Sequence, residues 1–141
     1  VLDVTKWKVV SASATGAERL LDNDAATIWV QARPTPDAPA QVTIDLGADT
    51  NLAGFSLTPS RQVMTDAAPP KGYIAETSLD NTNWEPAAAG EFANIAYAMS
   101  TQRIAFARMR RTRYLRLTFS EAAVPAAKLA IAGIGGFVAR P

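Results

Sequence analysis

Among its 141 residues the chain has no cysteine and no histidine. Without cysteine there are no disulfides, thiolate nucleophiles or thiolate metal sites, although the compartment stays open. Without histidine the commonest general base and the commonest transition-metal ligand are missing, so Ser-His-Asp catalysis and histidine-ligated zinc are excluded. An excess of one charge is lacking too: 14 Lys and Arg against 13 Asp and Glu leave a net charge of +1. Phosphate-tracking domains carry a strong basic excess, so no nucleic-acid partner is expected. No apolar run approaches the roughly 20 residues of a membrane-spanning helix. No charged segment followed by an apolar one marks a signal peptide. The start at Val1 rather than Met predicts a piece of a longer polypeptide or a processed product.

What is present is apolar patterning, with 48% hydrophobic residues and 19% charged. The length suits one domain over residues 1–141 with a substantial core. Apolar residues recur with period two, the mark of half-buried strands. Val42, Ile44 and Leu46 alternate with Gln41, Thr43 and Asp45; Leu115, Leu117 and Phe119 alternate with Tyr114, Arg116 and Thr118. Weaker alternation marks Phe55–Leu57, Tyr73–Ser78 and Ile104–Phe106. The run from Lys128 to Val138 reads as a strand in which Gly133, Gly135 and Gly136 signal bulges or close backbone approach. Pro34, Pro36 and Pro39, then Pro59, Pro69-Pro70 and Asp80-Asn81 are read as the breaks between strands. One helical turn is expected over Ala17–Leu21, behind Thr15-Gly16. Two packed antiparallel sheets with one short helical turn follow, an all-β architecture.

Carboxylates suited to glycoside hydrolysis exist at Asp45, Glu76, Asp80, Glu85, Glu91 and Glu121. A glycosidase needs two at a suitable separation. Asp45 and Glu76 are read as outward-facing on strands, and Asp80, Glu85 and Glu91 as turn residues. No pair has reason to converge, and catalysis is not expected.

The segment Leu20-Leu21-Asp22-Asn23-Asp24-Ala25-Ala26-Thr27-Ile28-Trp29 sets hard oxygen donors at Asp22, Asp24 and Thr27 beside a large aromatic anchor. Such spacing suits a calcium cage of side chains and backbone carbonyls. It suits an ordinary Asx-rich turn as well.

The order of segments completes the reading. Trp7-Lys8-Val9-Val10-Ser11-Ala12-Ser13 precedes L-L-D-N-D-A-A-T-I-W, followed by Q-V-T-I-D-L-G, A-G-F-S-L-T-P, Y-I-A-E-T-S-L-D-N-T-N-W, G-E-F, R-Y-L-R-L and a terminal I-A-G-I. Together these resemble the coagulation factor V/VIII type C, or discoidin, family, especially its bacterial branch, carbohydrate-binding module family 32, from about Trp7 to Val138. The resemblance implies a jelly-roll β-sandwich of galactose-binding-domain-like form, in which Trp7, Trp29 and Trp84 are structural anchors.

It also implies a structural calcium ion held by the Arg19 carbonyl, Asp22, the Asp24 carbonyl, Thr27 and the Ala132 carbonyl. Gly133 stands where the family has a Glu, which weakens the site. Asp24 as a second carboxylate, a water, or hydrogen bonds from Asp22 and Thr27 alone are the alternatives. The ion's role would be to brace the loop.

In the family's galactose binders a His, an Arg, an Asn and an aromatic ring receive the sugar. Here Val30 replaces the His, Arg61 is the counterpart of the Arg, no Asn follows it, and the loop from Ser120 to Lys128 has no aromatic residue. Galactose recognition in that manner is therefore not expected. Gln31, Arg33, Arg61, Gln62 and Asp66 are the candidate contacts to a different or an acidic sugar.

Arg108, Arg110, Arg111 and Arg113 could hold anions bidentately, but the segment reads as a solvated turn between strands. Val63-Met64 beside Arg61 is the only apolar loop tip of the kind that enters lipid, and a membrane partner is not expected. The function implied is a noncatalytic accessory module of a secreted or periplasmic bacterial glycoside hydrolase. G-E-F-A-N-I resembles tail modules of α-L-fucosidases and β-hexosaminidases. The partner is a glycan. The alternative is a structural domain that packs on its parent catalytic domain with a degenerate sugar site.

Overall fold

The computed structural model describes residues 4–22, 27–60, 67–92, 95, 100–123 and 127–138. Eight strands run in the order β1 (Lys8–Ala12), β2 (Trp29–Ala32), β3 (Ala40–Pro59), β4 (Ala67–Ala68), β5 (Gly72–Ser78), β6 (Glu85–Glu91), β7 (Gln102–Phe119) and β8 (Lys128–Phe137), with one 3₁₀ turn at Ala17–Leu21. Hydrogen bonding is continuous through β2-β8-β3-β7-β5-β6, with β1 on β3 and β4 on β8. The two longest strands explain the continuity. The first half of β3 pairs with the second half of β7 (Ala40 with Phe119, Ile44 with Leu115), and the second half of β3 with the first half of β7 (Leu57 with Gln102). Each passes from one layer of a jelly-roll sandwich to the other. The front layer is β1, early β3, late β7, β5 and β6; the back layer is β2, β8, late β3 and early β7.

The alternation seen in the sequence is the alternation of the core. Val42, Ile44, Leu115, Leu117 and Phe119 from the front layer meet Phe55, Leu57 and Ile131 from the back, all fully buried. Each such side chain contributes about 1.5–3 kcal/mol relative to exposure. Trp7 and Trp29 are buried with them, while Trp84 is half-buried and carries the Arg116 guanidinium 4.2 Å from its ring centroid. Phe55 meets Tyr73 and Phe92 edge-to-face, and Tyr73 and Phe92 lie tilted to each other, with centroids 4.9–6.4 Å apart.

Three readings are corrected. The segment carrying Arg108 to Arg113 is not a turn but the middle of β7, where the strand changes layers. Glu85 and Glu91 are the ends of β6, not turn residues, and Pro59 closes β3 rather than standing in a loop. Glu85-Pro86-Ala87-Ala88-Ala89-Gly90-Glu91 lacks β-branched and aromatic residues and becomes a strand by pairing with β5. Its proline is tolerated because β6 lies at the sheet edge.

Register fixes two ends. Ala12, Ala32, Ala40, Gly72, Glu91, Phe119 and Lys128 lie at one, here called the upper end. The bend after Asp45, the Ser78–Asn83 turn and the arginine-rich part of β7 lie at the other. The lower bend turns on Gly47, whose φ of +85° is costly for other residues. The sandwich edge is tied near the upper end: Ser13 Oγ donates to Gln31 Oε1 and accepts from the Gln41 N–H at 2.9 Å, joining β1, β2 and β3.

Candidate functional site

The upper end of the back layer holds two of the polar candidates, Gln31 and Arg33. Lys128 opens β8, with Ala32 of β2 paired on one side and Ala67 of β4 on the other. Adjacent strands lie about 4.7–4.9 Å apart, so the two flanking chains stand roughly 10 Å apart. Arg33 follows Ala32 directly, and its backbone N–H donates to the Ala127 carbonyl at 2.9 Å. Its side chain is exposed and has no hydrogen-bond or ion-pair partner among the described residues. Two cationic side chains therefore share this end of the sheet, Arg33 and Lys128. Arg61, Gln62 and Asp66 lie outside the described residues, as does Asp24.

Gln31 is a special case among the candidates. Its amide oxygen accepts from Ser13, and its amide nitrogen donates to the Ala32 carbonyl at 3.2 Å. A Gln held this way positions the chain that presents Arg33. Lys128 was not among the candidates because as the first residue of a strand it reads as a boundary. Only its pairing between β2 and β4 places it at the same strand end as Arg33.

Next to the 3₁₀ turn, the Thr27 hydroxyl donates to the Asp22 carboxylate. The Arg19 guanidinium reaches across to the Ile28 carbonyl at 3.5 Å. Ala132 is the residue left over where β8 bulges against β3, between the pairs Thr58–Gly133 and Pro59–Ile131. Gly133 faces the Leu20 carbonyl, which would lie 3.7 Å from a Cβ built there. The 3₁₀ turn thus packs against the part of β8 that the sequence comparison selected. Asp22 is the one carboxylate of the set within the described residues, and no group of three potential acidic, His or Cys ligands occurs among those residues.

The remaining charged candidates are largely committed to one another. Arg113 Nε donates to Asp45 at 3.1 Å, Arg110 Nη1 to Glu85 at 3.1 Å, and Arg116 Nε to Glu76 at 3.0 Å; Arg111 reaches Asp49 at 3.5 Å. The Arg113 hydrogen bond, with the Gly47 N–H, lowers the Asp45 carboxyl below its ordinary value against the opposing effect of burial. Three of the four clustered arginines are therefore matched by carboxylates, leaving Arg108. Asp45 and Glu76 point outward on strands and form separate pairs, not a catalytic couple. Asp80 serves its own turn: its carboxylate accepts from the backbone N–H groups of Asn83 and Thr82, from the Asn83 amide and from the Ser78 hydroxyl, which holds it well below the usual carboxylate range.

A family model described as the F5/8 type C domain matches residues 4–132. The chain belongs to the F5/8 type C domain family. No curated protein matches it. Among solved structures, a family 32 carbohydrate-binding module from a family 31 glycoside hydrolase of Clostridium perfringens superposes with a TM-score of 0.81 at 23% identity, covering 98% of this chain and 94% of that one. The family 32 module of Clostridium perfringens NanJ, solved with galactose, gives 0.75 at 14% identity and 95% coverage of both chains. The family 32 module of AlyQ, solved with 4,5-unsaturated mannuronic acid, gives 0.73 at 14% identity and 97% coverage of both. The F5/8 type C fold is thus common to all of them, with full-length correspondence.

Proposed function

We propose that this F5/8 type C domain is a noncatalytic carbohydrate-binding module of a secreted bacterial glycoside hydrolase, holding glycan near the catalytic domain by tethering. The observation that carries the reading is Arg33, an exposed guanidinium without a partner among the described residues, at the same end of the back layer as Lys128. Guanidinium and ammonium groups donate to sugar hydroxyls and pair with carboxylates. An acidic or neutral sugar suits this end, and the solved relative carrying an unsaturated uronic acid supports that class. Arg61, Gln62 and Asp66 are the further candidate contacts from the sequence.

The test is calorimetric titration of the isolated domain with oligouronates and neutral oligosaccharides. Arg33→Ala and Lys128→Ala should each weaken uronate binding about three- to tenfold, the range for exposed charge-assisted contacts. Silence across all sugars, with lower stability of the parent enzyme on deletion of the domain, would instead establish the structural role. The domain alone should turn over no aryl-glycoside.

The reading extends to a structural calcium ion at the Arg19 carbonyl, Asp22, the Asp24 carbonyl, Thr27 and the Ala132 carbonyl, where Asp22 and Thr27 already meet. Calcium should raise the melting midpoint and chelator lower it, by an amount that grows with concentration over Kd. An unchanged midpoint would strike the metal off and leave the Thr27–Asp22 hydrogen bond as the brace.

A further inference from the structure

The upper end has a recess on the other layer, with polarity opposite to that of the Arg33 end. A cleft of about 200 Å³ opens on the outer face of the front layer, lined by Lys71, Ile74, Glu91, Thr118, Ser120 and Glu121 among others. Its floor follows from strand alternation. Ile74 of β5 and Thr118 of β7 are register partners on the outward face, and Ile74 is 43% exposed, an apolar patch between polar walls. The walls are fixed by backbone: the Lys71 N–H donates to the Glu121 carbonyl and the Phe92 N–H to the Lys71 carbonyl, both at 3.0 Å, and the Ala123 N–H donates to the Pro69 carbonyl at 2.8 Å. Phe92 and Ala122, both buried, pin these segments to the core. A recess built this way is preformed, so a ligand entering it spends little on ordering the protein.

Its electrostatics are equally specific. Lys71 Nζ lies 3.7 Å from Glu121, both half exposed. Glu91, also exposed, has no hydrogen-bond or ion-pair partner among the described residues. The walls therefore carry one net negative charge, two carboxylate acceptors and the hydroxyls of Thr118 and Ser120. Ile74 can lie under the C–H face of a ring while the carboxylates take its donors, the usual division of labour in small-molecule sites. The volume is below the roughly 300–1,000 Å³ of pockets for drug-sized molecules, which limits the occupant to about one ring.

We propose that this cleft is a second carbohydrate-contact site, separate from the Arg33 end, that takes a single sugar ring rich in donors, preferring a 2-amino sugar to the neutral hexose and rejecting the uronic acid. The ammonium of an amino sugar meets Glu91, which no cation satisfies among the described residues. A uronate carboxylate would face Glu91 and Glu121 instead. The order of preference is the reverse of that expected at Arg33 and Lys128.

The experiment follows backbone amide resonances of the whole domain during titration with two charge series of fixed ring shape: glucosamine, glucose and glucuronate, and galactosamine, galactose and galacturonate. In at least one series the amine should move the amides of Gly72, Gly90 and Ser120 most, the neutral sugar less and the acid not at all. Glu91→Gln should weaken the amine about three- to tenfold, as expected for an exposed charged contact, and bring its affinity close to that of the neutral sugar. Arg33→Ala should leave these cleft shifts unchanged, which separates the proposal from the reading of the Arg33 end. The proposal is overturned if no amine moves the cleft amides, if the acids move them as much as the amines, or if Glu91→Gln changes nothing.

Discussion

Gly54 shows how tightly single positions are specified where the layers cross. A Cβ at this residue would run into the Ile104 carbonyl and the Phe137 ring, and Arg103 stacks on that ring at 4.3 Å. Gly54→Ala should cost about 1–3 kcal/mol by overpacking, read as a melting point lower by about 4–12 °C. An unchanged melt would mean the strands separate more easily than their pairing implies. Asp80 makes a different residue-scale prediction, one that depends on pH. Its backbone and side-chain hydrogen bonds favour the ionised form, so its folded pKa lies below the unfolded value of about 3.9. The stabilisation is then complete above that value and is lost as pH falls from there toward the folded pKa. Asp45, lowered chiefly by Arg113, acts with the same sign. Asp80→Asn should lower the melting point at pH 7, and its difference from the parent should shrink between pH 4 and pH 2. A difference that stays constant down to pH 2 would assign the role to the turn's shape rather than to the carboxylate charge.

Among the elements, the edge closure has a clear mechanical centre in Ser13, whose hydroxyl connects strands from both layers through Gln31 and Gln41. Ser13→Ala leaves the Gln41 N–H without that acceptor and should cost about 0.5–1.5 kcal/mol, measurable by urea denaturation. No loss would show that water replaces the hydroxyl. The elements also show what sequence makes legible. Strands with a wet and a dry side, such as 41–47 and 114–119, announce themselves because burial alternates with the pleat. The short turn at Ala17–Leu21 was readable from its flanking glycine and apolar spacing. The strand β6 was not, because its alanines carry no period and its geometry is imposed by β5. Nor was the passage of β7 through two layers, since arginines at 108–113 look like solvated turn residues until Asp45, Asp49 and Glu85 are seen opposite them. The site divides along the same line. Arg33 could be proposed through the resemblance, from its place just after Val30, where the family has its His, whereas Lys128 and the acidic cleft depend on pairings between segments more than 30 residues apart.

For the molecule as a whole, the decisive feature is that β3 and β7 belong to both layers. In a sandwich whose sheets shared no strand, one layer could open while the other held. Here, melting the front layer removes the first half of β3 and the second half of β7, and with them the anchors of the back. The core is shared in the same way, with front-layer Leu115 and Leu117 and back-layer Phe55 and Leu57 in one buried cluster. Unfolding should therefore be a single cooperative transition, as small single domains usually show. Two of the three indoles report on different layers: Trp29 is buried in β2 of the back layer, and Trp84 is half-buried against Arg116 of the front. Two single-reporter variants, each retaining one of these tryptophans with phenylalanine at the others, can be denatured in urea alongside circular dichroism of the backbone. The expected result is one midpoint and one slope for all probes within each variant. Hydrogen exchange should place the slowest amides in Leu52–Leu57 and Leu115–Phe119 and faster ones in the 3₁₀ turn, which joins the edge without a strand ladder of its own. Midpoints that differ between the fluorescence of one reporter and the circular dichroism of the same variant would show that the layers part independently, and that the continuous strands do not couple them.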